Sequence, residues 1–387
     1  MKQNAVYLYD ALRTPRGKAK PDGGLAALTP QALLARLQGA LRDRGHDAEP
    51  EALLLGCVGQ VGSQGGHIAL ASKLHLGLPD ACSATTLNNY CASGLAAIGY
   101  AAAMVGAGQL NAALAGGVEM MSQVGFMADG ASYYADSSFA PRNRFVPVAL
   151  AADRLAAREG IAREALDAVA LQSQQRAAAA QLDPLRQGSR IACGALTQDE
   201  CPRPKTSAEL LAALKPAFGG LATEYAAALD GETFVASHTL SHAPPMCDGA
   251  GLALVGSADL AGAGRARARI LAYAECGADP AASLTAGFAA MQRALARAGL
   301  RLADMDCIEF MEAFAVAMAK FLRDCDVDPQ RVNSNGGHLA LGHPMGASGA
   351  ILLSTLLDTL DATDGRLGLV VCSGAMGVGA AMVVERL

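Results

Sequence analysis

The chain is 387 residues long, 52% hydrophobic and only 17% charged, enough for a large buried core in two or three structural units. A net charge of −5 without any long basic run argues against a polyanion-binding surface, so no nucleic-acid partner is expected. No window holds the ~18 uninterrupted apolar residues of a membrane span, the opening residues lack a signal-peptide core, and the cysteines show neither a CxxC pair nor a metal-ligand spacing. These features predict a soluble, cytoplasmic protein with reduced thiols and no bound metal.

Strand-like and helix-like segments alternate from the start. AVYLYDA reads as a strand, TPQALLARLQGALRDRG as a helix and ALLLGCVG as a strand, the rhythm of an α/β protein. GHIALASKLHLG follows as a helix and ACSATTLN as a strand, which runs through Asn88, Asn89 and Tyr90 to Cys91 and the helix ASGLAAIGYAAAMVGAG. Cys91 is thus expected at a helix N-terminus, where backbone N–H groups and the helix dipole favour a thiolate, so a nucleophile with a lowered pKa is predicted. The alternative is a small cysteine that merely packs. The strand NAALAGGVE completes a first unit, expected over residues 1–117.

Residues 118–250 have another character. The loop SYYADSSFAPRNRF, the helices VALAADRLAAREG and REALDAVALQSQQRAAAAQ, the Pro-rich DECPRPKT and the turn-rich SHTLSHAPPMCDGAG read as an inserted domain that covers a substrate before the chain returns to the core. A plain oligomerisation arm would have the same pattern.

The βα order returns over residues 251–387, with AASLTAGFAAMQRALARAGL helical and DCIEFMEAFA a strand running into a helix. The loop NSNGGHLALGHPMGASGA then feeds another helix, and GLVVCSGA closes as a strand. Ala92-Ser93-Gly94 and Ala347-Ser348-Gly349 open corresponding helices, which predicts an internal duplication with Cys91, the His343 loop and Cys372 at equivalent strand ends. Pro344 confines His343 to an extended backbone while the flanking glycines permit close turns. Beside a nucleophilic cysteine it is the natural base, a role for which His338 competes. Glu312 either orients a donor or caps a helix start. Cys372, on a glycine-rich turn, can move a proton, and a backbone N–H such as that of Gly374 can bind an oxyanion.

These residues resemble the thiolase family over essentially the whole chain. NNYCASGLAAIGYAAAMVGAG is similar to the acylated-cysteine signature, AGGVEMMS to its Gly-Gly-x-Glu-x-Met-Ser, and GHPMGASG to its histidine block. REALDAVALQSQQRAAAAQ and DECPRPKTSAELLAALKPAF look like loop-domain blocks, with Arg203 at a position the family uses near the coenzyme A nucleotide. The resemblance implies an α/β thiolase fold, in which two duplicated βαβαβαββ halves form a layered αβαβα core with an inserted loop domain. It implies an acyltransferase that condenses or thiolytically cleaves 3-oxoacyl-CoA thioesters through a Cys-linked acyl-enzyme. Cys91 would attack the thioester, His343 would accept the thiol proton, and Cys372 would exchange the proton on the α-carbon. One thioester oxygen would lie against His343 and a water, the other against the N–H groups of Cys91 and Gly374. Acyl-CoA and CoA are the implied partners, with no cofactor or metal, and a homodimer or homotetramer is implied.

Three positions depart from the family pattern. Met311-Glu312-Ala313-Phe314 has methionine where the family has the asparagine that holds the catalytic water. Cys372-Ser373-Gly374-Ala375 replaces Cys-x-Gly-Gly, and Pro244 stands where a serine often meets the pantetheine arm. They leave open a specialised Claisen or ketosynthase-like enzyme on other thioesters, and a degenerate homologue that only binds acyl-CoA.

Overall fold

The computed structural model describes residues 4–387, and in these residues ten strands form one hydrogen-bonded sheet. They are β1 (Val6–Arg13), β2 (Gly17–Lys18), β3 (Ala52–Gly56), β4 (Ser83–Leu87), β5 (Ala112–Met120), β6 (Cys247–Gly256), β7 (Ala268–Gly277), β8 (Cys307–Phe310), β9 (Leu367–Gly374) and β10 (Val378–Arg386). Their order is β4-β3-β5-β6-β1-β7-β10-β9-β8, with β2 beside β6. β3 runs parallel to β4 and β5, and β8 to β9, whereas the other pairs are antiparallel.

The duplication is visible in that order. Counting outward from the centre, the first half runs β1, β6, β5, β3, β4, and the second runs β7, β10, β9, β8. Where the second half would need a counterpart of β4, it has a single parallel bridge between Ile308 and Val332. The halves join through β1, whose Val6–Leu8 stretch pairs with β7 while Tyr7–Arg13 pairs with β6.

Eight longer helices complete the core and the insertion: α1 (Pro30–Asp43), α2 (Ile68–His75), α3 (Ser93–Gly106), α4 (Val148–Glu159), α5 (Arg163–Ala180), α6 (Ala286–Ala298), α7 (Ala315–Asp324) and α8 (Ser348–Thr363). α1 shows how the sequence specifies an outer helix. Thr29 caps it by accepting from Ala32 N–H, Pro30 sits in its first turn, and Leu33, Leu34, Leu37 and Leu41 form one buried stripe. α3 and α8 are apolar nearly all round, as suits helices covered on every side, and Ser348 to Leu360 of α8 are buried without a break. Both touch strands of the two halves, α1 and α2 cover the first half from outside, and α6 covers the second. The layers therefore read helix, sheet, helix, sheet, helix.

The strands can be set beside the expected unit boundaries. The one expected at residue 117 falls inside β5 and the one expected at 250 inside β6. β6 follows the insertion in sequence, yet it pairs with β5 and β1 and so belongs to the first half. The insertion is therefore residues 121–246, and it contains α4 and α5 where the sequence placed them. Among the described residues no helix is long and apolar enough to cross a membrane.

Candidate active site

Cys91 sits in a tight turn between β4 and α3. Tyr90 ahead of it adopts a left-handed backbone (φ 44°), uncommon for a residue other than glycine and typical of a constrained site. The turn is held by Ser93, whose hydroxyl accepts from Asn89 N–H at 2.8 Å and donates to Tyr90 C=O at 2.5 Å, while Asn89 Nδ2 donates to Glu275 at 3.0 Å. Cys91 is half-buried. The backbone N–H of Ala375 favours the thiolate form of its sulfur. Burial nevertheless dominates and pushes the thiol up to about 12, with the Glu119 carboxylate adding to the rise and the N–H groups of Ala375 and Cys91 opposing it. The lowered pKa expected from the helix start is thus reversed, because α3 delivers too few donors to offset the loss of solvent.

Close packing of the two Ala-Ser-Gly motifs brings the His343 loop to this turn. A Cβ on Gly94 would lie 2.7 Å from Gly346 C=O, and one on Gly349 would lie 2.7 Å from Leu95 N, so only glycine lets α3 and α8 cross at their first turns. Two buried carboxylates pin the loop itself. Glu119 at the end of β5 accepts from Gly346 N–H, Val58 N–H, Gly59 N–H and Gln64 Nε2, each at 2.9 Å. Glu312 accepts from Leu339 N–H at 3.0 Å, Ser173 Oγ at 2.8 Å and Asn333 Nδ2 at 3.1 Å. Glu312 does not cap α7, which starts at Ala315 without a side-chain cap. It anchors the loop before His343, as Glu119 anchors the loop after it.

His343 bonds Pro245 C=O through its backbone N–H at 2.8 Å, and its Nδ1 lies 2.7 Å from Ser348 Oγ. With Nδ1 engaged, Nε2 is the nitrogen left for proton transfer. Burial and the nearby Arg16 guanidinium push this imidazole down to about 3, which keeps it neutral. His338, the competing histidine, is fully buried and its ring meets that of His343 edge to face at 5.0 Å.

Cys372 is fully buried near the end of β9, and burial together with the charge of Cys91 pushes its thiol well up. Gly374, expected to donate at the Cys91 oxyanion position, lies against the Cys91 backbone and the Tyr90 side chain, where an added Cβ would be 3.3 Å from Cys91 N and from Tyr90 Cβ. The N–H of the next residue, Ala375, also favours the Cys91 thiolate. Met311 extends the β8 pairing by one bond, to Val371 C=O at 2.9 Å, and is fully buried. Phe314 lies in the core, its ring 5.8 Å from those of Phe218 and His238.

Cys91 opens on a mainly apolar chamber whose walls include Tyr90, Phe126, Tyr134, Phe145 and Met345, with Ala375 at its side. Phe126, Tyr134 and Phe145 come from the insertion. A second, open groove of about 520 Å³ runs past Arg203, Lys205, Leu210, Leu214 and Ser241. Arg203 is fixed there through its N–H to Gln174 Oε1 at 2.7 Å. Pro244 is half-buried three residues beyond Ser241, next to the Pro245 carbonyl that holds His343. Cys91, Cys372 and the His343 loop therefore converge, whereas Arg203 lies in a groove of its own. Sequence reasoning missed Glu119, Ser348 and Lys205; the glutamate was visible only as part of a block, with no local signal of its four bonds. Among the described residues no cluster of His, Cys, Asp or Glu side chains could hold a metal.

Comparison with known proteins completes the description. Residues 6–229 match the family model of the thiolase N-terminal domain and residues 264–386 that of the thiolase C-terminal domain. The chain is 35% identical to a 3-ketoacyl-CoA thiolase of Shewanella frigidimarina over 100% of both chains. It is 34% identical to a beta-ketoadipyl-CoA thiolase of Pseudomonas aeruginosa over 99% of each. A solved acetyl-CoA acetyltransferase of Bacillus anthracis superposes with a TM-score of 0.84 at 26% identity, over 100% of both chains.

Proposed function

The chain belongs to the thiolase family and has its α/β fold, and from that premise we propose that it is an acyltransferase condensing or thiolytically cleaving 3-oxoacyl-CoA thioesters. The observation that carries this reading is the Cys91 thiol: half-buried, open to an apolar chamber, packed against the cluster that holds Cys372, and set in a turn that meets both Gly374 and the loop after His343. A thiol with so high a pKa attacks only if a base removes its proton as the bond forms, and a neutral His343 suits that task. In the first half-reaction Cys91 Sγ bonds to the thioester carbon, its proton passes to Nε2 of His343, and the CoA sulfur leaves with that proton. In the second, Cys372, once deprotonated, removes a proton from the α-carbon of acetyl-CoA, and the carbanion displaces Cys91 from the acyl carbon as a thiolate, which that proton then neutralises. Thiolysis is the reverse, with Cys372 returning the proton.

The N–H groups of Cys91 and Ala375 are the donors suited to the oxyanion on the acyl-enzyme carbonyl. Arg203 and Lys205, cations at one groove, suit the phosphates of CoA. Pro244 gives the pantetheine arm an apolar contact and no hydroxyl. Self-association is part of the same reading, and β4 supports it: among the described residues this edge strand pairs only with β3 and carries no lysine or proline to blunt its open side.

Mixing the protein with acetyl-CoA and a panel of 3-oxoacyl-CoAs, then weighing the cysteine peptides, tests the proposal. Cys91 is expected to gain the acyl mass, Cys91→Ala to gain none, and Cys372→Ala to be acylated without forming a 3-oxoacyl product. A Cys91 that takes no acyl group from any thioester would overturn the catalytic reading.

A further inference from the structure

Where the thiolase resemblance implies an amide that holds a water, Met311 supplies none. Its thioether donates no hydrogen bond and accepts poorly, and its side chain is fully buried in the apolar core. Charge still develops on the thioester oxygen as the carbon–carbon bond forms or breaks, and one missing donor at such a position costs about 10²–10³ in rate.

Unused hydrogen-bonding capacity gathers beside His343. His338 is fully buried, yet neither Nδ1 nor Nε2 has a protein partner. Arg16, in the turn before β2, is 1% exposed, its Nε and Nη1 are likewise without partners, and its charge reaches both imidazoles. Buried polar groups are seldom left unpaired, since each costs about 1–3 kcal/mol. An unpaired imidazole and an unpaired guanidinium beside one ring therefore mark a polar pocket and not a packing accident. The segment is also held firmly, with Leu339 N–H on Glu312 and His343 N–H on Pro245 C=O. With ring centres 5.0 Å apart, one oxygen atom can lie within about 3 Å of a nitrogen on each ring.

We propose that His338 is a second imidazole of the oxyanion site, holding with His343 the water that meets the thioester oxygen, in place of the amide that Met311 does not supply. Burial, with the Arg16 charge adding to it, disfavours protonation of either ring, so His338 keeps one N–H to donate while His343 keeps a nitrogen free to accept. This inference rests on the thiolase reading and deepens it. His338 acts on the developing oxyanion and not on formation of the thiol–base pair, so its loss spares Cys91 acylation more than the condensation step.

The test uses the full chain with His338→Ala, His338→Asn, Met311→Asn and the double variant His338→Ala/Met311→Asn. Acylation of Cys91 in the unaltered protein is measured first; its absence would defeat the thiolase reading, a result distinct from any seen in the variants. In His338→Ala the Cys91 peptide is expected to acylate, with kcat for acetoacetyl-CoA thiolysis lowered about 10²–10³-fold and KM changed less than about threefold. Adding Met311→Asn is expected to recover at least about tenfold, since a returned amide can hold the same water, and His338→Asn to fall between. A His338→Ala kcat within about threefold of the unaltered enzyme overturns the proposal. So does a double variant no faster than the single one while both keep the parent's circular dichroism and melting temperature. If the alanine variant does not fold, His338→Asn with and without Met311→Asn carries the same comparison. A purely structural histidine would not be rescued by a substitution at Met311.

Discussion

Cys91 carries two opposed effects whose sum decides how the resting enzyme behaves. The helix start and the Ala375 N–H draw the thiol toward ionisation, burial and Glu119 push the other way, and burial wins at about 12. The thiolate fraction then grows about tenfold per pH unit through the neutral range. Alkylation of the Cys91 peptide by iodoacetamide is therefore expected to climb steadily from pH 7 to 9, whereas a plateau would reveal a preformed thiolate. The sign is opposite for His343. Its folded value, pushed from 6.5 down to about 3, leaves the neutral base intact as pH falls, so Cys91 acylation should persist at pH 5. Cys91, His343 and Cys372 were legible because each sits in a short pattern of glycines, prolines and helix openings. The direction of the Cys91 shift was not, because it depends on walls such as Phe126 and Phe145, contributed by a distant insertion. Whether the amide of Gly374 or that of Ala375 serves the Cys91 site was not legible either, since which amide of a glycine-rich turn faces a sulfur is fixed by the fold and not by composition.

Between elements, the site depends on contacts that hold the loops of the two halves together. Glu119 ties β5, the loop after β3 and the loop before α8 through four donors, three of them backbone N–H groups left unpaired if its carboxylate is removed. Glu119→Ala is expected to lower stability by about 3 kcal/mol or more in urea unfolding and to abolish acylation, with Glu119→Gln losing less. α1, α4 and α5 were readable because caps and apolar periodicity are local. β6, β7 and β10 were not singled out, and β6 shows why. Its Cys-Asp-Gly-Ala-Gly start looks like a turn, yet a Cβ on Gly251 would come within 2.9 Å of the Ala350 carbonyl carbon, so glycine is what lets α8 lie on the strand.

For the whole molecule, the repeat of strand order was foreseen from the paired Ala-Ser-Gly motifs, but the sharing of β1 between halves was not, because long-range pairing leaves no periodic trace. The open edge at β4 bears on assembly. Ser83 and Thr85 are exposed there and Leu87 is half-buried, four residues before Cys91. Sedimentation is expected to give a multiple of the 39.4 kDa chain mass, and Thr85→Lys, which puts a charge on that edge, to shift it toward the monomer and to slow acylation. A single species at the chain mass for the unaltered protein would remove the edge-pairing idea. The position of β1 also governs how the protein is born. Tyr7 pairs with Gly256 and Val6 with Ile270, so β1 waits for roughly 250 residues of further synthesis, about 12–50 s at ordinary elongation rates. Through that interval β1 and one edge of β5 are unpaired and adhesive, and a chain arrested before β6 should reach quality control as an aggregating fragment instead of a smaller folded protein.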